Sequence, residues 1–137
     1  LWIFSRVICF RAPYFSTIKP LLTRLDLGVG EAKLKKCRRV QNHIGTVHAI
    51  AMANLCEFVA GTTIEVSLPP THRWIPKSMN IKYLAKANTD LIAKTTLDMN
   101  KWPESGSYVI HVDVLDSEQI VVVTADIEMH VSLNKRS

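Results

Sequence analysis

Read from its N-terminus, the chain changes hydrophobic period from helical to strand-like at Pro70. Over residues 2–11, apolar side chains stand at 2, 3, 4, 7, 8 and 10, a helix-like spacing. Pro13 interrupts it, and PYFSTI predicts a short second turn, giving an N-terminal helical segment over 1–18. LLTRLDLG after Pro20 predicts a strand ending at Gly28, GVG at 28–30 a tight turn, and EAKLKKCRRV at 31–40 an exposed, basic strand. Ile50, Ala51, Leu55, Phe58 and Val59 then follow Val47 at helical intervals, while Ala49, Met52, Ala53, Cys56 and Ala60 fill the other sides. A helix apolar all round is buried all round, so a buried central helix is expected over 46–64. Gly61 and the β-branched run TTIEV end or loosen it, and SLPP at 67–70 forces a break.

After Pro70 the period becomes two. MNIKYLAKA at 79–87, DLIAKTTLD at 90–98, YVIHVDVL at 108–115 and QIVVVTADIEMHVSL at 119–133 predict four strands in a meander, with WPESGS at 102–107 as a loop. In the last strand Val121, Val123, Ala125, Ile127, Met129 and Val131 share one face, and Thr124, Asp126, Glu128 and His130 the other. That is the pattern of an antiparallel sheet with one wet face. The elements predict an α+β fold, a curved antiparallel sheet wrapped around one long helix.

Length and composition narrow this further. The 137 residues suit one domain, expected over 1–137, and 47% apolar with 21% charged residues are ordinary for a globular protein. Three cysteines, Cys9, Cys37 and Cys56, form no paired framework and lead us to expect a reducing, cytoplasmic setting. The opening LWIFSRVICF is too short to span a bilayer and is broken by Arg6, so no stable membrane insertion is expected. Net charge is +5, which suits an anionic partner without choosing one. The basic run KLKKCRR at 33–39 reads either as a solvated edge strand or as an attractor of phosphates. It lacks the interleaved aromatics of a nucleic-acid groove, so no nucleic-acid partner is expected.

The central helix carries one anomaly. Between His48 and Glu65 the only charged side chain is Glu57. Two readings stand. Burial would raise its pKa into the range useful for proton transfer, or the carboxylate caps a backbone or pairs with Arg73 or a lysine. Asn54 either holds Glu57 or is a satisfied core amide. His43 and His48 lack a third partner, so no metal is expected. His111 and His130 read as ordinary strand residues, and Cys56 as a small core residue.

Two motifs carry a resemblance. NHIGTVHA at 42–49 places Asn42 six residues before His48, which opens the helix, with Glu57 nine residues beyond. MNIKYLAKA supplies Asn80, Tyr83, Leu84 and Ala87 at strand spacing. In these features the chain resembles the hotdog-fold acyl-coenzyme A thioesterase superfamily, phenylacetate-pathway type, and most closely a branch with an NHIGTVHA signature, over about Ala12 to Val131. It departs from that pattern in having His48-Ala49-Ile50 where His-Gly-Gly is usual, Lys86 where proline is usual, and Glu where Asp is commoner.

The resemblance implies a hydrolase of an acyl thioester with no cofactor beyond the coenzyme A of its substrate, acting as a homodimer or a dimer of dimers. It implies Glu57 as base or nucleophile, the Ala49 N–H as oxyanion donor, Asn42 orienting carbonyl or water, and His48 as a hydrogen-bonder at the helix start. Gly45, Asn54, Asn80 and Tyr83 are expected to line the substrate, with Arg73, Lys82 and Lys86 toward its phosphates. Glu57 lies about 12 Å along the helix from Ala49, too far for one carbonyl to touch both. An active site therefore needs the acid of a second copy. The alternatives are a non-catalytic acyl-binding protein of the same fold and a basic structural or nucleic-acid-associated dimer. The apolar N-terminal segment is also a candidate lining or lid of an acyl tunnel.

Overall fold

The computed structural model describes residues 1–134, so the last three residues of the expected domain lie outside the described residues. Helix α1 (Trp2–Arg11) leads into a 3-10 turn (Pro13–Thr17). Strands β1 (Leu21–Asp26) and β2 (Val29–Leu34) follow, then a 3-10 turn (Arg38–Val40) and the long helix α2 (Ala49–Ser67). Four strands complete the chain: β3 (His72–Tyr83), β4 (Leu91–Thr96), β5 (Ser105–Leu115) and β6 (Val121–Leu133). They form one curved antiparallel sheet in the order β1-β2-β4-β5-β6-β3, against which α2 packs.

The core is the interface predicted from the two periods. Leu55, Phe58, Val59 and Ile64 of α2 are fully buried, as are Ala93, Val112, Val114, Val123, Met129 and Val131 on the strands. Cys56 joins them, and burial, reinforced by Asp113, pushes its thiol up to about 12. By length and apolarity α2 would qualify as a membrane-crossing helix, but 61% of its apolar window is buried in the fold.

The helix departs from expectation in two ways. It begins and ends three residues later than 46–64, running through Gly61 and the TTIEV run to Ser67. The hydroxyls of Thr62 and Thr63 bond back to the carbonyls of Phe58 (2.8 Å) and Val59 (2.6 Å), and Ile64 is wholly buried. Tertiary burial here overrides weak β preference. Nor is the helix buried all round. Ile50 is 57% exposed, and Ala53 and Glu57 on the same side are only half-buried, so this stripe of α2 is incompletely covered until Gly61, over which Trp74 of β3 lies.

Several strand expectations change: the four strands after α2 are not one meander, because β3 pairs with β6 and not with β4, and β5 begins at Ser105, inside the expected 102–107 loop. The 28–30 turn is Leu27–Gly28, with Gly28 at φ +78°, while Gly30 lies inside β2. Gly30 is there for close approach: a Cβ would stand 1.9 Å from Thr63 Oγ1 on α2. β2 stops at Leu34 and is an interior strand between β1 and β4, so the basic run is not an edge strand. β3 begins at His72, well before Met79, and tolerates Pro76 because β3 is an edge strand whose register shifts between Pro76 and Ser78.

Candidate active site at the start of the central helix

The segment before α2 folds on Asn42. Its Oδ1 accepts the backbone N–H groups of Ile44 and Thr46 (both 3.1 Å), and its Nδ2 donates to Thr46 Oγ1 (2.8 Å). Its own N–H donates to the Thr46 carbonyl (2.9 Å). Gly45 completes the turn at φ +83°, a left-handed conformation that favours glycine, with open space where a Cβ would stand. Asn42 and Gly45 therefore shape the loop, and the loop aims the chain into the helix. Two backbone bonds dock it: Val47 N–H to the Ala87 carbonyl and His48 N–H to the Val40 carbonyl, each 2.8 Å.

His48 is the N-cap of α2, in extended conformation at φ −65°, ψ 138°. Its Nδ1 accepts the Ile50 N–H at 3.0 Å, which puts the neutral ring's proton on Nε2. A histidine so engaged is a structural hydrogen-bonder. With Ile50 capped, the N–H groups of Ala49 and Ala51 have no partner among the described residues. They stand at the positive end of a 19-residue helix, where developing negative charge is stabilised. Ala51 was not singled out from sequence, and only the cap geometry distinguishes it.

The strand motif meets the loop motif here. The Tyr83 hydroxyl, at the end of β3, donates to the Ala49 carbonyl at 3.2 Å. Burial, with a smaller contribution from Cys56, raises the Tyr83 pKa, so the phenol stays protonated as that bond requires. Tyr83 is thus bonded to Ala49, into which the loop of Asn42 and Gly45 leads through His48. Asn80 and Lys82 are exposed on β3, opposite Asp126 and Thr124 of β6, and Lys86 is exposed beyond its end. Arg73 lies ten residues before Tyr83, roughly 33 Å along the strand. There its Nε donates to Ser132 Oγ (3.2 Å), and it does not pair with Glu57.

Glu57 is half-buried on the incompletely covered stripe of α2, with no side-chain hydrogen bond or ion pair to another described residue. Asn54 does not hold it. Asn54 is 6% exposed; its Nδ2 donates to Thr17 Oγ1 (3.3 Å), and its Oδ1 is buried without a partner. Asn54 borders a cavity of about 180 Å³ with Thr17, Gln41, His48 and Ala51. The 3-10 turn after α1, rather than α1 itself, is what borders the start of α2. No cluster of three or more potential metal ligands occurs among the described residues.

Away from the site, His111 is less ordinary than its strand position suggests. It bridges Asp126 (Nδ1, 2.8 Å) and Asp113 (Nε2, 2.9 Å). The Asp126 hydrogen bond leads in raising its pKa, against a smaller lowering by burial.

A six-stranded antiparallel sheet curved over one long helix, with the helix start bonded to the end of β3, is the hotdog fold. A solved structural-genomics protein is 42% identical over 96% of this chain and 88% of its own, with a TM-score of 0.89. A Pseudomonas aeruginosa protein of unknown function, named a probable thioesterase, is 17% identical (89% and 88% covered, TM-score 0.82). A Haemophilus influenzae thioesterase is 14% identical (88% and 82% covered, TM-score 0.77). The last two share the fold. Among curated proteins none matches the chain. A sequence profile described as "Domain of unknown function (DUF4442)" matches residues 1–131, and the chain belongs to that family.

Proposed function

We propose that the protein hydrolyses an acyl-coenzyme A or related acyl thioester at a site completed by a second copy of the chain. The observation that carries this is the pair of N–H groups at the start of α2 without a partner among the described residues, set beside a capping histidine and a tyrosine that bonds the Ala49 carbonyl. A thioester carbonyl directed there would have its developing oxyanion stabilised by Ala49 N–H, with Ala51 N–H as a second donor. The water would be activated by the partner copy's glutamate at position 57. Asn42 acts as a positioning residue, since its side chain is spent on the loop.

Two features support the dimer. Ile50, Ala53 and Glu57 form an incompletely buried stripe along the first half of α2. The 12-residue edge strand β3 has one unpaired side. An antiparallel pairing of two such edges would lay the two helices side by side in opposite directions and bring each Glu57 toward the other copy's Ala49. It would also carry Arg73 from the far end of β3 toward the partner's helix start, where it would meet substrate phosphate.

Release of free thiol from short, medium, long and aromatic acyl-coenzyme A substrates tests the activity. Turnover that Glu57→Gln abolishes supports the reading; no turnover on any chain refutes it. A second reading, an acyl-binding protein without turnover, is favoured by Glu57 having no side-chain hydrogen bond or ion pair among the described residues. Binding of a non-hydrolysable acyl-coenzyme A analogue without turnover of the matching thioester would select it.

A further inference from the structure

A cleft larger than the cavity at the start of α2 lies elsewhere among the described residues. It has a volume of about 830 Å³ and lies between α1 and the β1–β2 hairpin. Ala32 and Leu34 of β2 are buried beneath α2, so Lys33 and Lys35, alternating with them, point to the other face of the sheet. Leu21 pairs with Lys33 and shares that face. The cleft is therefore separated from the α2 site by the sheet itself.

Its chemistry is divided. Ser5 and Cys9 are buried at its base, and Ser5 is fully engaged: its hydroxyl donates to the Leu1 carbonyl and accepts the Leu22 N–H. Trp2, Phe10 and Leu21 supply apolar wall, with Trp2 65% and Phe10 86% exposed. Four cations, Arg6, Lys19, Lys33 and Lys35, also line it, and no carboxylate does. Only Lys33 of the four has an ion pair among the described residues, with Asp90 at 3.6 Å. Lys19 is held at φ +47°, a left-handed conformation uncommon for a residue with a Cβ and one that clusters at functional sites. Apolar wall beside positive charge, with Arg6, Lys19 and Lys35 in no ion pair among the described residues, suits a molecule with an apolar tail and an anionic head.

We infer that this cleft binds a single-chain anionic amphiphile, its tail against Trp2, Phe10 and Leu21 and its carboxylate or phosphate head among Arg6, Lys19, Lys33 and Lys35. The volume is that of a small-molecule site. A membrane surface would reach the outer side of α1 but not the buried base at Cys9. The inference stands apart from the proposed hydrolysis and does not need it.

The probe is cis-parinaric acid, fluorescent when bound, with laurate as competitor, both below micelle-forming concentration. Saturable binding is expected, at least about tenfold weaker for parinaric methyl ester, and about tenfold weaker for the protein carrying Arg6→Gln and Lys35→Gln. Both side chains are exposed, and circular dichroism checks that the double variant is folded. Glu57→Gln should bind the probe unchanged, which separates this site from the proposed active site. Equal binding of acid and ester would overturn the inference, as would no binding at all. Displacement of the probe by adenosine 3′,5′-bisphosphate would overturn it in favour of a coenzyme A nucleotide site. So would a shift in emission, lost in Trp2→Phe, with phosphatidylserine vesicles alone and no binding of monomeric acid, which would make α1 a membrane dock.

Discussion

Replacing Ala49 by proline tests the oxyanion assignment with little else disturbed. Ala49 is the first residue of α2, where proline is well tolerated because that N–H has no helical acceptor. The preceding residue must be extended for a proline to follow, and His48 already is, at ψ 138°. The Ala49 carbonyl, which accepts from Tyr83, is retained, and so is the His48 cap on Ile50. Stability should therefore change by no more than about 1 kcal/mol. The one thing removed is the Ala49 N–H, which has no partner among the described residues. If that N–H stabilises the oxyanion, its loss should lower kcat by about 10²–10³, or about 2.7–4 kcal/mol of transition-state stabilisation. Ala49→Gly keeps the N–H and should stay within a few-fold of the original. Thiol release from the best acyl-coenzyme A substrate gives the rates, and thermal unfolding confirms the fold. A folded Ala49→Pro protein with full kcat would refute the assignment and leave Ala51 as the donor to examine.

Three further outcomes follow from other parts of the structure. His48→Ala should cost about 1 kcal/mol of stability, lowering Tm by a few degrees, while His48→Asn should restore most of it; an unchanged Tm would mean that the cap is not needed. Gly30→Ala should destabilise by about 1–3 kcal/mol or more in urea unfolding, because its Cβ would collide with Thr63 Oγ1; a neutral result would show that α2 shifts freely on β2. His111 has a raised pKa in the folded state, so its contribution is fully present below the unfolded value of about 6.5 and is lost as pH rises through the higher folded value. Its side chain is 54% exposed, so the effect should be small, visible as a decline in stability above about pH 6.5 that His111→Gln flattens.

How much of this was legible beforehand differs from element to element. β6 could be read face by face because Val123 to Val131 alternate without a break and the sheet uses that alternation directly. The helix was legible as a helix, but not its end, since TTIEV favours a strand locally and only burial of Ile64 against the sheet decides otherwise. The first half of β3 was hidden by Pro76 and by exposure of most of its side chains, both permitted by an edge position that local pattern does not reveal. At the site, spacing brought Asn42, His48 and Ala49 together, and the tertiary bond from Tyr83 joined the second motif to them. Arg73 shares a strand with Tyr83, but strand rise carries it to the opposite end. The unpartnered Oδ1 of Asn54 was invisible, because its neighbour Thr17 is 37 positions away.

The central claim is that each proposed site takes its N–H donor from one copy and its carboxylate from the other, and mixing two inactive variants tests it most directly. Ala49→Pro and Glu57→Gln chains, each folded and inactive alone, would be unfolded together and refolded as a mixture. Half the dimers then pair one chain of each kind, and each such dimer has one intact site, built from the Ala49 of the Glu57→Gln chain and the Glu57 of the Ala49→Pro chain. If the proposed site is shared in this way, the mixture should recover about a quarter of the thiol release shown by the unsubstituted protein. No recovery, in a mixture shown to contain the mixed dimer, would contradict that sharing.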